Sequence, residues 1–183
     1  MITNPGQELR DNDLVDATNR LSHRGPDSVG FYQQGSVNLG FRRLSIIDVE
    51  GGRQPLFNDK KTICLVLNGE IYNFRELRSE LEAKGYLFHS RTDSEVVLNA
   101  LIEWGRKALY RFNGMFALAL WDIKERLLLL ARDRYGIKPL YVSQKNNTFA
   151  FGSEQKAILA MPSFKRKIDK SALVEYFTFQ NIA

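Results

Sequence analysis

Two apolar runs, Phe116–Trp121 and Leu127–Ala131, lie on either side of the polar segment Asp122-Ile123-Lys124-Glu125-Arg126. Apolar runs of strand length joined by a short polar link predict an antiparallel hairpin, and the unbroken hydrophobicity of each predicts that both strands are buried. A hairpin of this kind needs further apolar layers, and the pattern elsewhere supplies them. Val29-Gly30-Phe31-Tyr32 and Val37–Ile47 flank Gln34-Gly35-Ser36 as a second hairpin, and Pro139-Leu140-Tyr141-Val142 pairs with Thr148-Phe149-Ala150-Phe151 through Asn146-Asn147. Thr62–Leu67 is a β-branched and apolar run ending at Asn68-Gly69-Glu70, which reads as a turn after a buried strand.

Helical spacing appears between these strands. Leu14, Val15, Ala17 and Leu21 follow the polar start Asp11-Asn12-Asp13 and stop at Gly25-Pro26. Asn73 with Glu76 fits a capping box for a second helix that ends at Gly85. Thr92 with Glu95 repeats the signal ahead of the stripe Val96, Val97, Ala100 and Leu101, which ends near Gly105. A short helix is expected over residues 153–160. Clustered strands and adjacent helices favour antiparallel sheets covered by helices, an α+β class, over a parallel doubly wound sheet.

Composition removes several function classes. The 183 residues, 44% of them hydrophobic, suit one well-buried core. The longest apolar stretch, Met115–Trp121, is far short of the ~20 residues of a membrane span. Met1–Gly6 lacks the features of a secretory signal, so a cytoplasmic location without membrane association is expected. A single cysteine, Cys64, and the lack of any Cys/His cluster with ligand spacing predict no disulfide and no bound metal. The net charge of +5 is spread over short groups interrupted by acids, including Lys60-Lys61 and Lys165-Arg166-Lys167, so a solvated surface is expected and no nucleic-acid partner. Neither glycine-rich phosphate-binding pattern occurs.

Candidate chemistry centres on Asn68-Gly69-Glu70. A glycine N–H can approach a substrate closely and, beside an Asn amide, can give two donors to the oxyanion of an acyl-transfer intermediate. Ordinary turn chemistry selects the same residues. Arg43, set in an apolar strand, could clamp a carboxylate bidentately or simply face solvent. Asp93 could fix an ammonium group or merely complement the helix dipole. His23-Arg24-Gly25-Pro26-Asp27 reads equally as a site-building loop and as a satisfied loop network. A thiol pair of His23 with Cys64 is disfavoured, because Cys64 lies mid-strand and ~13 Å along it from Asn68.

Seven segments occur in one order: HRGPD (23–27), RRLSIID (42–48), LNGEIYN (67–73), RTDSE (91–95), NGMFALALWD (113–122), RDRYGIKPLY (132–141) and FGSEQKA (151–157). Together they resemble the N-terminal class II amidotransferase domain of glutamine-dependent asparagine synthetase, of the N-terminal-nucleophile hydrolase type. The RLSIID segment separates the chain from phosphoribosyl-pyrophosphate and fructose-6-phosphate amidotransferases. The resemblance implies a four-layer αββα sandwich of two mainly antiparallel sheets with L-glutamine bound between them. It further implies that Arg43 holds the substrate α-carboxylate, with the backbone of Leu44, Ser45, Ile46 and Ile47 lining the pocket. Glu70 and Asp93 match the α-amino ligands, and Asn68 and Gly69 the oxyanion hole.

Family members begin, after methionine removal, with a cysteine nucleophile, whereas Met1 here is followed by Ile2. Residues 1–168 are therefore expected to form the amidotransferase domain without its first strand, and the chain to be catalytically incompetent. An exposed sheet edge invites association, so aggregation or a homodimer is expected. Residues 169–183 resemble the start of the connection to a synthetase domain. That partner domain, outside this chain, would use ATP and Mg2+ to amidate aspartate with the released ammonia, and no cofactor is expected in this chain itself. The competing expectations are a non-catalytic glutamine-binding or assembly module, and another class II amidotransferase with a different acceptor.

Overall fold

The apolar runs Phe116–Trp121 and Leu127–Ala131 do pair in the computed structural model, which describes residues 11–44, 52–145 and 147–180. In chain order the elements are α1 (Asp11–Asn19), β1 (Ser28–Gln34), β2 (Val37–Arg43), β3 (Leu56–Phe57), β4 (Ile63–Ile71), α2 (Phe74–Ala83), α3 (Asp93–Trp104), β5 (Gly114–Asp122), β6 (Leu127–Arg132), β7 (Tyr141–Lys145), β8 (Thr148–Gly152), α4 (Gln155–Leu159) and α5 (Lys170–Phe179). Short 3-10 segments cover Ser22–Arg24 and Gly105–Tyr110. Every described strand pairing is antiparallel.

β3, β4, β5 and β6 form one sheet in that order, and the β1–β2 and β7–β8 hairpins form the layer opposite. Side-chain alternation explains the layering. On β4, Leu65, Leu67 and Ile71 join Phe116, Leu118 and Leu120 of β5 in a core closed from outside by α2 and α3. The opposite face of β4 carries Cys64, which meets Trp121, Val37 and Leu39 between the two sheets. Beyond the hairpin layer, Ala17 of α1, Ala150 of β8 and Ile158 of α4 make a third cluster. Four layers result: α1 with α4, hairpins, four-stranded sheet, and α2 with α3.

Several expectations need correction. β5 is buried as expected, but β6 is a half-exposed edge, because among the described residues it pairs with β5 alone. The polar link between them folds on Asp122, whose Oδ1 accepts the amides of Lys124 and Glu125 at 2.9 and 3.0 Å. Asn73 precedes α2 but makes no side-chain cap; its carboxamide instead donates to the Arg111 carbonyl at 3.0 Å and accepts the Asn113 amide at 2.9 Å. Thr92 does cap α3, accepting the Glu95 amide at 3.4 Å, while the Glu95 carboxylate binds the amides of His89 and Ser90. α4 starts at Gln155 rather than 153, and β2 is described only to Arg43, so the expected strand beyond residue 44 lies outside the described residues.

The largest departure is at Asn68-Gly69-Glu70, which is no turn. β4 runs through it to Ile71 in unbroken register with β5, pairing Gly69 with Phe116. Gly69 has φ +149, and a Cβ there would lie 2.0 Å from the Met115 carbonyl oxygen. Only glycine accommodates both that backbone angle and that neighbour. Gly69→Ala is expected to destabilise the fold by about 2–4 kcal/mol through combined backbone strain and overpacking, as a urea denaturation series would measure.

Candidate functional site

Between the two sheets lies a cavity of about 590 Å³. Its described walls include Arg43 and Leu44 from the end of β2, Asn68, Gly69 and Glu70 from β4, and Asp93 from the start of α3. Strand alternation turns Asn68 and Glu70 to the same face as Cys64, toward the opposing sheet. The three site segments meet because β2, β4 and α3 all reach this end of the sandwich.

Arg43 is an interior arginine, only 8% exposed, and the surface alternative is excluded. Room for its guanidinium depends on Gly52, where a Cβ would sit 2.2 Å from Nη2 and 3.1 Å from the Thr92 methyl. The guanidinium therefore lies beside the residue that precedes Asp93. Gly25 brings the His23–Asp27 loop against the same strand end, since a Cβ there would lie 2.4 Å from the Arg42 carbonyl carbon. Leu44 is 55% exposed at the cavity wall, and Ser45, Ile46 and Ile47 lie outside the described residues.

Asp93 does more than complement a helix dipole. It is 6% exposed, its Oδ2 accepts the Ile71 amide at 2.9 Å, and its Oδ1 accepts the Ser94 hydroxyl at 3.5 Å. Burial pushes its carboxyl above the usual range, and backbone amides led by Ile71 only partly pull it back. Asn68 Nδ2 donates across the cavity to Ser153 Oγ at 3.4 Å, which links the two layers.

The His23–Asp27 loop resolves mostly as a satisfied network. Glu154 Oε1 meets His23 Nε2 at 2.8 Å and accepts from Arg24 at 3.3 Å, while Oε2 accepts from Lys156 at 2.9 Å. Those donors, Lys156 foremost, hold the Glu154 carboxyl down at about 2. His23 and Arg24 nonetheless line the cavity. Cys64 does not join them. It is fully buried, and burial pushes its thiol up to about 12, so the His23–Cys64 pair fails on geometry and on ionisation.

Two contributors escaped the sequence reading. Gln54 reaches β4 with its side chain: Oε1 accepts the Leu67 amide at 2.7 Å and Nε2 donates to the Leu67 carbonyl at 3.1 Å. Asp133 organises the loop that brings Lys138 and Leu140 to the cavity, accepting the amides of Phe116, Tyr135, Ile137 and Lys138 at 2.9–3.2 Å. Desolvation raises its carboxyl, but those four amides together outweigh it and leave it below the usual range. Asp133 stood within the RDRYGIKPLY segment, whereas Gln54 carried no motif signal at all.

Two face-to-face antiparallel sheets between helical layers, with an inter-sheet cavity of acids, an arginine and an amide, define the N-terminal-nucleophile hydrolase fold. Its nearest use is legible in the sequence pattern: the chain belongs to the glutamine amidotransferase domain family, which it matches over residues 2–183. It is 44% identical over 162 residues to glutamine-hydrolyzing asparagine synthetase 3 of Bacillus subtilis, covering 87% of this chain and 26% of that protein. Asparagine synthetase 1 of the same organism is 45% identical over 169 residues, covering 92% and 27%. The chain thus spans about a quarter of the length of these relatives. Glutamine phosphoribosylpyrophosphate amidotransferase of B. subtilis, solved with ADP and GMP, superposes with TM-score 0.68 at 20% identity over 80% of this chain and 40% of that one, a likeness of fold alone.

Two of the buried carboxylates, Asp93 and Asp133, predict opposite pH behaviour. Asp93, raised by burial, favours the fold fully below the unfolded carboxyl range, and that contribution is lost as pH rises through its folded value. Asp133, lowered, stabilises the fold above the unfolded range, and that contribution is lost as pH falls through its folded value. Asp93→Asn is therefore expected to hold or raise the melting temperature at pH 7 with no gain at pH 3. Asp133→Asn is expected to lower it at pH 7 and to converge with the parent at the acid end. Thermal melts across that range check both signs.

Proposed function

We propose that this cavity binds L-glutamine and that the chain is the glutaminase domain of a glutamine-dependent asparagine synthetase. One observation carries the reading: Arg43, Asn68, Gly69, Glu70 and Asp93, drawn from three separate elements, line a single cavity. A guanidinium held in a buried, low-dielectric setting forms its strongest contact with a planar carboxylate, so Arg43 takes the glutamine α-carboxylate. Asp93 and Glu70 take the α-ammonium group. The incoming cation lowers the cost of keeping Asp93 ionised, so part of the binding energy comes from relieving a strained charge.

The same placement directs the side-chain amide of glutamine toward Asn68 and Gly69. When a nucleophile adds to that amide, negative charge builds on its oxygen, and the Asn68 Nδ2 and Gly69 N–H donors stabilise it. The only cysteine in the 183 residues is Cys64, buried between the sheets with its thiol held at about 12. No thiolate is available from it at neutral pH. A polypeptide of this sequence accordingly binds glutamine without hydrolysing it.

The wider activity belongs to the same proposal: ammonia released at this cavity amidates aspartate in a synthetase domain that requires ATP and Mg2+. Helix α5 buries none of its residues, and Leu173, Val174, Tyr176, Phe177 and Phe179 are exposed. That supports a domain boundary near residue 168.

Titration calorimetry is expected to show glutamine binding to this chain with no release of glutamate. Arg43→Ala removes a charge-assisted contact worth about 1.5–3 kcal/mol and should weaken binding roughly 10–100-fold. Extending the chain with a cysteine-led first strand should then yield glutamate from glutamine. A folded chain that takes up no glutamine would end the reading.

A further inference from the structure

Asn68, Gly69 and Glu70 sit on β4 beyond the point where its described partner β3 ends. β3 pairs with β4 only at Leu56–Leu65 and Phe57–Cys64, so beyond Leu65 the edge of β4 facing away from β5 has no described strand beside it. Unpaired strand edges are mobile and adaptable, which is unsuitable for donors that must be held to a fraction of an ångström.

The edge is held from both ends by side chains instead. At Leu67, immediately before the tripeptide, the Gln54 carboxamide reproduces a strand partner, accepting the amide at 2.7 Å and donating to the carbonyl at 3.1 Å. At Ile71, immediately after it, the Asp93 carboxylate accepts the amide at 2.9 Å. Ser94 connects the two clamps, since its hydroxyl lies 3.4 Å from Gln54 Nε2 and 3.5 Å from Asp93 Oδ1. In an antiparallel ladder alternate residues turn their amides to the same edge. Leu67 and Ile71 both face the clamps, so Gly69, midway between them, directs its N–H to the same side.

We infer that Gln54 is a positioning residue for the oxyanion donors: by taking a strand partner's place at Leu67, it holds Asn68 and Gly69 in register so that the Gly69 N–H stays open to the ligand. The inference rests on the glutamine reading and extends it to a cavity-wall residue whose carboxamide is engaged by the Leu67 peptide group. Gln54 is suited to this because a primary amide alone among side chains matches both the donor and the acceptor of one peptide group. Leucine has a similar volume and neither function.

Two ligands separate positioning from general support. Glutamine engages both the head groups (Arg43, Glu70, Asp93) and the tail donors, whereas L-norvaline has the same head with a methyl group in place of the carboxamide. Calorimetry on Gln54→Leu is expected to show glutamine binding about tenfold weaker, as loss of tail contacts implies, with norvaline binding within twofold of the parent. The Gly69 amide resonance in a nitrogen–proton correlation spectrum should also lose its glutamine-induced shift. If Gln54→Leu fails to fold, Gln54→Met keeps an unbranched side chain of similar reach without the amide, and the same loss confined to glutamine is expected. Equal weakening of both ligands, or of neither, overturns the assignment to Gln54 and leaves the glutamine reading intact. A parent chain that binds neither ligand overturns both.

Discussion

The bond from the Ile71 amide to the Asp93 carboxylate joins the end of a strand to the start of a helix, and the rest of the site is arranged around it. It is a charged hydrogen bond in a buried place, where such bonds are strong and where their loss leaves an uncompensated anion. It fixes α3 against β4 from a position where α3 itself is capped by Thr92. Thr92 in turn borders the guanidinium of Arg43 across Gly52. An acid, a base and a strand end are thereby held together by contacts made before any ligand arrives.

Preorganisation of this sort has a cost, and the cost is located. Asp93 is buried deeply enough that desolvation outweighs its hydrogen bonds, and Gly69 holds a backbone angle that other residues resist. Asp133, the residue that follows β6, shows the contrast: with four amides on one carboxylate, burial is offset and the group remains readily ionised. One carboxylate builds a loop; the other ties a strand end to a helix start at the cavity wall.

Much of the architecture was legible in advance because burial imposes a period. The stripe Val96, Val97, Ala100 and Leu101 is buried throughout, and Phe116–Trp121 forms the most deeply covered strand. Motif order placed Arg43, Asn68, Gly69, Glu70 and Asp93 as candidates, and the fold brings all five to one cavity. Misreadings fell where one residue type serves two ends. Asn-Gly favours turns, yet β5 supplies a partner that keeps Asn68-Gly69 extended. Asn73 has a capping residue's chemistry, yet the carbonyl of Arg111 and amide of Asn113 compete for it successfully.

What the sequence determined by itself was the local grammar: which segments are strands, which are helices, and which residues carry the charges and amides of a candidate site. Tertiary structure alone decided that Gln54 would act as a strand, that Gly52 would make room for Arg43, and that Asp93 would be left under-solvated. The reason is one of range. Periodicity records burial between near neighbours, whereas these roles arise from partners 9 to 40 positions apart, and a hydrogen bond over that separation leaves no repeating trace in the chain.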